Sequence, residues 1–404
     1  MESKELLYLL ALSRVRGISI STLRKIIRDE ALTALNTKDN FDLFNILERP
    51  VKLRTKGGRE NPLNESSPLE LITKDDLGWA EKEILKSKKL GAQVFTIGDL
   101  NYPRLLLESP TPPLLIYTLG ASNGLCTELS PTVAIIGTRQ ATEYGLSMAR
   151  IIAKELAEAG ITIVSGMARG CDSAAHRGAL LGGGYTIAVL GSGIDVVYPP
   201  ENKKLYAEIA EKGTVISEFP IGTSPLAYNF PTRNRIISAL SLGVFVVEAP
   251  LKSGAMMTVT HATECGKEVF ALPGRATSQY STGTNKLLKD GAHFVTEARD
   301  IIEPLALQIS RSIDFSANNS LANQGNTKQK QEQITLALKT KKQRPLRRKS
   351  GTILDDFIDD NPIHIDEIAS KAELPIEKVS ALLLEMELGG FIEQMPGKHF
   401  IRKP

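Results

Sequence analysis

Short loops that combine glycine or a small hydroxyl residue with a cation recur through the middle of this 404-residue sequence. Glycine lets the backbone approach a ligand closely, and the N–H groups at a helix N-terminus favour an anion. Arginine adds bidentate hydrogen bonds to phosphate oxygens. The residues that these loops offer for phosphate binding are Gly137, Thr138, Arg139, Gly166, Arg169, Gly170, Gly191, Ser192, Gly193, Arg233, Asn234, Arg235, Ser253, Gly254 and Lys286.

The segments between these loops predict the fold that positions them. Continuous apolar, β-branched runs at 132–136, 161–164, 186–190, 214–217, 244–248, 268–272 and 292–295 alternate with segments of helical periodicity. Unbroken apolar runs are typical of strands buried on both faces, so we expect a doubly wound parallel α/β sheet. Ligands bind at the carboxyl edge of such a sheet, and six loops there predict a long track for a polyanion.

Other kinds of site are disfavoured by residue type. The sequence has no G-x-x-x-x-G-K-[ST], and the third glycine of a dinucleotide fingerprint is replaced by Val196. It also lacks H-E-x-x-H. The cysteines Cys126, Cys171 and Cys265 are odd in number and far apart, which argues against a disulfide framework and a zinc site. We therefore expect no metal and no cofactor.

The formal net charge of +3 conceals an uneven distribution. Lys and Arg number 18 against 17 Asp and Glu in residues 1–131, and 16 against 16 in residues 132–305. Residues 306–349 hold 10 against 2, and residues 350–404 hold 5 against 11. Because no run reaches the length of a membrane helix and no secretory signal is visible, a soluble cytoplasmic protein is expected, with no membrane partner.

The N-terminal part of the chain reads as a small helical domain, similar to SAM or helix-hairpin-helix modules, over residues 1–75. A glycine turn at 15–19 precedes a helix for which Ser21 is a possible N-cap, and such a turn can present N–H groups to a phosphate. A plain helical connector is the alternative, because Ser19 occupies the place of the second glycine. Residues 54–68 read as a loop, and residues 76–131 as a connecting segment that leads into the sheet.

The basic and acidic blocks define the C-terminal half. The sheet domain is predicted over 132–305, followed by a flexible basic linker at 306–350. Residues 351–404 suggest three helices, the first including Ile353, Leu354, Phe357 and Ile358, followed by a hairpin, which is the outline of a winged helix. The linker either adds backbone contacts to DNA or serves as a solvated tether. The acidic terminal unit is expected to bind protein or to cover a basic surface, because its charge repels a duplex.

Several motifs in the right order resemble the DNA-processing protein A (DprA/Smf) family over roughly residues 130–303. They are Ala134 to Arg139, Ser165 to His176, Ala188 to Gly193 with Tyr198-Pro199, Ser217 to Pro220, Phe230 to Ile237, Glu248 to Gly254, and Ala271 to Gly274. The helical N-terminal region and the winged-helix-like unit fit longer members. The sequence departs from the family's Gly-Ser-Arg motif at Thr138, which keeps the hydroxyl, and has Cys171 where an aliphatic residue is usual.

The resemblance implies an extended Rossmann fold that binds and protects incoming single-stranded DNA and loads the RecA recombinase during natural transformation. It also implies a homodimer formed through the Rossmann domain and no enzymatic activity. The alternative is a nucleotide-binding or nucleotide-hydrolysing enzyme of the same fold, such as the nucleotide phosphoribohydrolases. Their P-G-G-x-G-T-x-x-E motif is incomplete at Ser281 to Lys286. A promoter-binding regulator is a third hypothesis, which the acidic terminal unit disfavours.

Individual residues have a functional and a structural interpretation. Arg139, Arg233 and Arg235 are expected to contact phosphates, with a loop-bracing ion pair as the alternative, favoured most for Arg235. Phe230 either stacks on a base or is a core aromatic. Asp172 and His176 are expected to be structural, and Cys171 a small buried apolar residue.

Overall fold

The computed structural model describes residues 4–15, 20–37, 42–54, 60–99, 101–120, 131–319 and, with short gaps, 352–402. The proposed glycine turn at 16–19 and the most basic strip at 328–349 lie outside these residues. The chain forms two compact units, Met1–Leu338 and Lys339–Pro404, which are described separately.

The N-terminal region consists of three helices and a hairpin. The helices are α1 (Lys4–Leu12), α2 (Ile20–Thr37) and α3 (Leu43–Glu48), and the antiparallel strands are β1 (Val51–Arg54) and β2 (Glu60–Ser66). The prediction of a loop over 54–68 was therefore wrong for β2. Leu9, Ile27 and Leu43 are buried in the same apolar cluster as the neighbouring part of the central sheet, so these helices share a core with it.

The central sheet has nine strands. The first two, in the segment expected to be a connection, are β3 (Gln93–Thr96) and β4 (Leu115–Gly120). The others are β5 (Thr132–Ile136), β6 (Thr162–Ser165), β7 (Thr186–Leu190), β8 (Thr214–Ser217), β9 (Gly243–Val246), β10 (Glu268–Ala271) and β11 (His293–Phe294). Each of the seven predicted runs overlaps one of the strands β5 to β11, which confirms the doubly wound α/β fold.

The strand order is β11-β10-β9-β5-β6-β7-β8-β4-β3. The strands from β5 to β11 run parallel, while β4 pairs antiparallel with both β8 and β3. The chain moves from β5 to one side through β8 and then returns to the other side at β9. The order therefore reverses between β5 and β9, and a crevice at that switch point is where open α/β sheets bind ligands.

Helices cover both faces of the sheet. They are α4 (Lys74–Leu90), α5 (Arg104–Leu107), α6 (Glu143–Glu158), α7 (Cys171–Leu181), α8 (Lys203–Lys212), α9 (Asn229–Ala239), α10 (Gly254–Glu264), α11 (Thr282–Lys289) and α12 (Arg299–Asn319). Because α12 continues to residue 319, the flexible linker expected from residue 306 is helical over its first part. No helix in the described part of the chain is both long and apolar enough to cross a membrane.

The C-terminal unit has the elements of a winged helix. Strand β12 (Ile363–His364) precedes α13 (Ile365–Ala372) and α14 (Ile376–Leu388), and the hairpin β13 (Ile392–Met395) and β14 (His399–Arg402) follows. The predicted hairpin is confirmed, whereas β12, which pairs with β14, was not expected. The first predicted helix includes residues outside the described set, but Leu354 and Ile358 are buried in this unit's core.

Helices α6 and α7 pack closely at a glycine, which gives a test of the fold. A Cβ at Gly178 would lie 2.3 Å from the Arg150 carbonyl oxygen. Gly178→Ala should therefore lower the free energy of unfolding by about 1–3 kcal/mol in a denaturant titration, because the helices must separate. Gly78→Ala is the control: α4 leaves a Cβ there free of neighbours, and alanine in a helix should stabilise by about 0.5–1 kcal/mol. Equal stability of the two variants would contradict this packing.

Candidate nucleic-acid interface

A pocket of about 440 Å³ lies at the switch point between β5 and β9. Its walls come from the loops after β5, β6 and β9 and from the first turns of α9 and α10. The lining residues are Ile136, Gly137, Thr138, Arg139, Gln140, Ala168, Asp172, Phe230, Pro231, Arg233, Asn234, Ile237, Pro250, Lys252, Ser253, Gly254, Ala255, Met257 and Thr258. Four of the six predicted loops therefore meet around one concavity.

Arg139 is an exposed cation at the rim of this pocket. Its guanidinium carbon lies over the ring of Phe230, 4.9 Å from the ring centroid. The ring in turn packs against Gly191, where a Cβ would come within 2.9 Å of it. A cation over an aromatic face is stabilised by about 0.5–1 kcal/mol at exposed sites. Phe230 therefore holds the Arg139 guanidinium in a defined place while leaving its outer side open to solvent.

Arg233 points the opposite way and is only 3% exposed. Its Nη1 donates a hydrogen bond of 2.6 Å to the carbonyl oxygen of Gly166 and another to that of Val189. Burial lowers the pKa of Arg233 to about 10, an effect that the charge of Asp172 opposes. Arg233 lines the base of the pocket, but its Nη1 hydrogen bonds are made to backbone carbonyl groups at the ends of β6 and β7. This geometry favours the bracing role over the phosphate contact.

Arg235 is also engaged within the protein. Its guanidinium forms an ion pair with Glu218 and donates to the carbonyl oxygen of Thr111, and Arg24 of α2 pairs with the same carboxylate. The loop after Glu218 is also held by α4, because Glu83 of that helix accepts a 2.6 Å hydrogen bond from the backbone N–H of Ile221. The N-terminal helices therefore fix the loop after β8, and with it the start of α9. This arrangement favours the loop-bracing ion pair over a phosphate contact for Arg235.

The N-terminus of α6 is already occupied by a buried carboxylate. Glu248, which follows β9, accepts hydrogen bonds from the backbone N–H of Thr142 at 2.8 Å and from its hydroxyl at 2.6 Å. The backbone N–H of Thr138 donates to the carbonyl oxygen of Glu248 at 2.7 Å. Gly137 allows this contact, because a Cβ there would lie 2.9 Å from the same carbonyl oxygen. This helix terminus therefore positions the Thr138 loop and is not open to a phosphate.

The N-terminus of α10 is open to the pocket. Ser253 precedes the helix, and its hydroxyl is buried with no hydrogen-bond partner among the described residues. The first backbone N–H groups of a helix also lack intrahelical partners. Lys252 stands next to them as an exposed cation at the pocket. A hydroxyl, helix N–H groups and a cation together suit a phosphate group.

Asp172 and Cys171 begin α7 beneath the pocket. Burial raises the pKa of the Asp172 carboxyl, while the charge of Arg233 and hydrogen bonds from the backbone of Ala168 and Gly166 act against the increase. Burial also raises the pKa of the Cys171 thiol well above its usual range, and this side chain packs in the apolar core. Cys171 is a small buried apolar residue, as predicted, and the contacts of Asp172 favour its structural interpretation.

His176 lies in the interior between α7 and the sheet. Its Nδ1 is 2.7 Å from the hydroxyl oxygen of Thr186, and that hydroxyl donates to the carbonyl oxygen of Ile163 at 2.8 Å. The Thr186 oxygen must then accept a hydrogen bond from Nδ1–H, so Nδ1 carries a proton. Burial, helped by the charges of Arg233 and Arg177, lowers the pKa of His176 to about 3. The ring is a structural hydrogen bonder, as expected.

The structure separates the predicted site residues into three groups. Those that line the main pocket are Gly137, Thr138, Arg139, Phe230, Arg233, Asn234, Ser253 and Gly254. Gly166 and Arg169 line a smaller cavity beside it, together with Arg139 and Phe230. The residues that line neither are Gly170, Gly191, Ser192, Gly193, Arg235 and Lys286.

The residues outside both cavities have identifiable local roles. Gly170 lies under the Thr138 loop with φ +75°, and a Cβ there would be 2.4 Å from the Thr138 carbonyl oxygen. The buried Ser192 hydroxyl donates to the carbonyl oxygen of Val196, and the N–H of Gly193 donates to that of Thr223. Lys286 pairs with Asp290 one turn along α11. The expectation that six loops form one continuous track therefore has geometric support for four.

Several residues that line these cavities were not among the predicted site residues, and three of them are Lys252, Met257 and Tyr198. Lys252 was noticed only as part of its loop, Met257 lies one turn into α10, and Tyr198 belongs to the loop after β7. The pairing of Lys252 with a serine and glycine before a helix was a usable signal. Nothing local distinguishes Met257 or Tyr198. Among the described residues no group of three or more His, Cys, Asp or Glu side chains is arranged to hold a metal ion.

Comparison with known proteins agrees with the fold and with the order of the motifs. Residues 93–306 match the family model described as DNA recombination-mediator protein A, and residues 338–398 match the DprA winged helix domain. The protein Smf of Synechocystis sp. is 32% identical over the full length of both chains. The DNA processing protein DprA of Streptococcus pneumoniae is 41% identical over 52% of this chain and 72% of its own.

A solved structure supports the same assignment. The X-ray structure of DNA processing protein A from Streptococcus pneumoniae has a TM-score of 0.59 and 33% identity, and covers 75% of this chain and 98% of its own. The fold is thus a Rossmann-like domain with a winged helix, and these are the two parts that match the family models. This chain belongs to the DNA-processing protein A (DprA/Smf) family.

The buried His176 gives a prediction about stability and pH. Its pKa is about 3 in the folded chain and about 6.5 when unfolded, so protonation favours unfolding and stability falls as the pH drops below about 6.5. Between about pH 7 and pH 5 the chain should lose about 2 kcal/mol more than the His176→Gln variant, measured by denaturant titration. The same pH dependence in both proteins would contradict a buried neutral imidazole.

Proposed function

We propose that this chain binds single-stranded DNA across the carboxyl edge of its central sheet and passes the strand to the RecA recombinase, without catalysing a reaction on it. The observation that carries the DNA-binding proposal is the set of groups around the switch-point pocket. Arg139 and Lys252 are exposed cations there, and the Ser253 hydroxyl at the start of α10 has no partner among the described residues. Together they present donors and positive charge to an anionic backbone.

The chemistry of the pocket favours backbone recognition over base recognition. Phosphate contacts by arginine, lysine, hydroxyl and backbone N–H groups position a strand without reading its sequence. The cations stand at the rim, while the acids Asp172 and Glu248 are buried beneath with their own partners. The rim is therefore positive although residues 132–305 contain equal numbers of acidic and basic residues. Binding of this kind is tolerant of sequence and sensitive to salt.

The recombinase step is supported by family membership. The matching family is described as a DNA recombination mediator, and the relatives with DprA names are called DNA processing proteins. Because the proposed action joins RecA to incoming DNA, a cytoplasmic location is part of this proposal. A homodimer through the Rossmann domain stays a prediction. The winged helix, with its 5 basic and 11 acidic residues counted over 350–404, is proposed to contact protein and not duplex DNA.

Arg139→Ala should weaken binding to single-stranded oligonucleotides of every sequence. The loss of one charge-assisted contact predicts an affinity about 10- to 150-fold lower, because such hydrogen bonds contribute about 1.5–3 kcal/mol. The slope of log K against log salt should become shallower by about 0.7, the value for one phosphate of a single strand. Fluorescence anisotropy over a salt series measures both quantities.

Arg177→Ala is the matched control, since Arg177 is an exposed arginine on α7 that lines neither cavity. It should bind with wild-type affinity and slope. If Arg139→Ala also kept the wild-type affinity and slope, the pocket would not be the DNA site.

A mononucleotide ligand is a second candidate, because about 440 Å³ lies within the range of small-molecule pockets. Titration with thymidine mononucleotide, dinucleotide and longer oligothymidylates separates the two hypotheses. The DNA-binding proposal predicts that affinity increases with length and that none of these ligands is hydrolysed. Tightest binding to the mononucleotide, or release of a base or phosphate, would favour the enzyme.

A further inference from the structure

A small cavity of about 30 Å³ lies beside the main pocket and shares Arg139 and Phe230 with it. Its remaining walls come from the loop after β6, with Arg169, and from the loop after β7, with Tyr198 and Pro199. The two concavities are therefore neighbours on one surface, separated by the Phe230 ring and the guanidinium above it. A strand bound at Arg139 has this second cavity directly next to it.

Tyr198 presents the more accessible aromatic ring at this place. Its side chain is 37% exposed, and its ring centroid is 5.5 Å from that of Phe230. The Phe230 ring is already in contact with two guanidiniums, that of Arg139 at 4.9 Å and that of Arg233 at 5.9 Å. Among the described residues no cation lies over the Tyr198 ring in this way. A base can therefore reach the Tyr198 ring without displacing a protein group.

Arg169 is the second cation of the small cavity, after Arg139, and its guanidinium is paired with a carboxylate. The Arg169 side chain is 63% exposed, and its guanidinium pairs with Glu201, whose side chain is 48% exposed. Their hydrogen bond raises the pKa of Arg169 and lowers that of Glu201. An exposed pair of this kind contributes little to stability, and phosphate oxygens match the same face of a guanidinium. A phosphate can replace the carboxylate at small cost.

The loop that carries Arg169 is held rigidly from below. The side-chain amide of Asn202 donates to the carbonyl oxygen of Met167 and to the hydroxyl of Ser173, both at 2.8 Å. Met167 itself has a positive φ of 53°, which a non-glycine residue rarely adopts without such support. Arg169 and Tyr198 therefore face the cavity from two fixed loops, a geometry that limits the ordering cost of binding.

We propose that Tyr198 and Arg169 form a second nucleotide subsite beside Arg139, in which a base stacks on Tyr198 and the neighbouring phosphate displaces Glu201 from Arg169. This inference rests on the proposed binding of single-stranded DNA. It assigns the base-stacking role to Tyr198 and leaves Phe230 as the support for Arg139. The ligand is a nucleotide within a single strand, because a duplex keeps its bases stacked on each other.

The stacking part is tested with Tyr198→Leu and Tyr198→Phe, using oligothymidylate and an abasic strand of the same length. Loss of one base–aromatic stack should weaken oligothymidylate binding by about 5- to 150-fold for Tyr198→Leu. Tyr198→Phe keeps the ring and should stay close to the wild type. On the abasic strand Tyr198→Leu should bind like the wild type, because no base is present to stack. Tyr144→Leu, at an exposed tyrosine outside both cavities, is the control.

The outcomes separate this inference from the general proposal. If Arg139→Ala weakens binding to both strands while Tyr198→Leu weakens neither, the DNA site stands and the subsite is wrong. If Tyr198→Leu weakens both strands equally, its effect is on the fold and the stacking role is likewise wrong. If the wild type binds neither strand, the proposed function itself fails.

The role of Glu201 gives an opposite and independent expectation. Glu201→Gln frees Arg169 and should increase affinity for both strands by about two- to fivefold, the strength of an exposed ion pair. Glu208→Gln makes the same change of charge at an exposed position of α8 and is the control. A gain specific to Glu201→Gln that disappears in the Arg169→Ala background supports the displacement. Equal affinities of the two glutamine variants would overturn it.

Discussion

The buried guanidinium of Arg233 is the interaction on which the arrangement of this surface depends. A charge removed from water is costly unless it is paired and hydrogen-bonded, and here Asp172 and the carbonyl oxygens of Gly166 and Val189 provide the compensation. These partners belong to three different segments of the sheet edge. Gly166 has to be glycine, because a Cβ would lie 2.5 Å from the Arg233 guanidinium. The start of α9 is thereby fixed against β6 and β7, and with it the Phe230 ring that supports Arg139.

Three neighbouring residues of α9 show why the roles within the site could not be read from the sequence. Arg233, Asn234 and Arg235 are all polar, and an α-helix directs successive side chains about 100° apart. Arg233 therefore points into the protein, Asn234 donates to the carbonyl oxygen of Gly254, and Arg235 reaches Glu218. Which direction is interior depends on the strands and helices packed around α9. The sequence predicted that these residues matter together but not which of them faces a ligand.

The sequence predicted those parts of the fold that depend on a local hydrophobic pattern, and it did not predict those that depend on pairing between distant segments. The seven parallel strands are continuous apolar runs in the sequence, and all seven were predicted. Strands β3 and β4 pair antiparallel at the edge of the sheet. β3 is only partly buried and gave no such run, whereas the apolar residues Leu114 to Tyr117 in and before β4 were a usable signal that was missed. The strand order carries no local signal at all. Without it, the loops after β5 and β9 could not be distinguished from that after β7, whose glycines serve packing instead.

The order of strands also explains how a segment of balanced charge presents a positive surface. Glu218 and Glu248 are carboxylates turned inward, where they neutralise Arg24 and Arg235 or accept hydrogen bonds at the start of α6. Arg139 and Lys252 follow the two strands at which the order reverses, line the pocket, and form no ion pair with another residue that the structure describes. These carboxylates thus face the interior and are paired there, while the two cations stay exposed at the crevice. Because a local field depends on which charges stay solvent-accessible, net charge alone is a poor guide to what this domain binds.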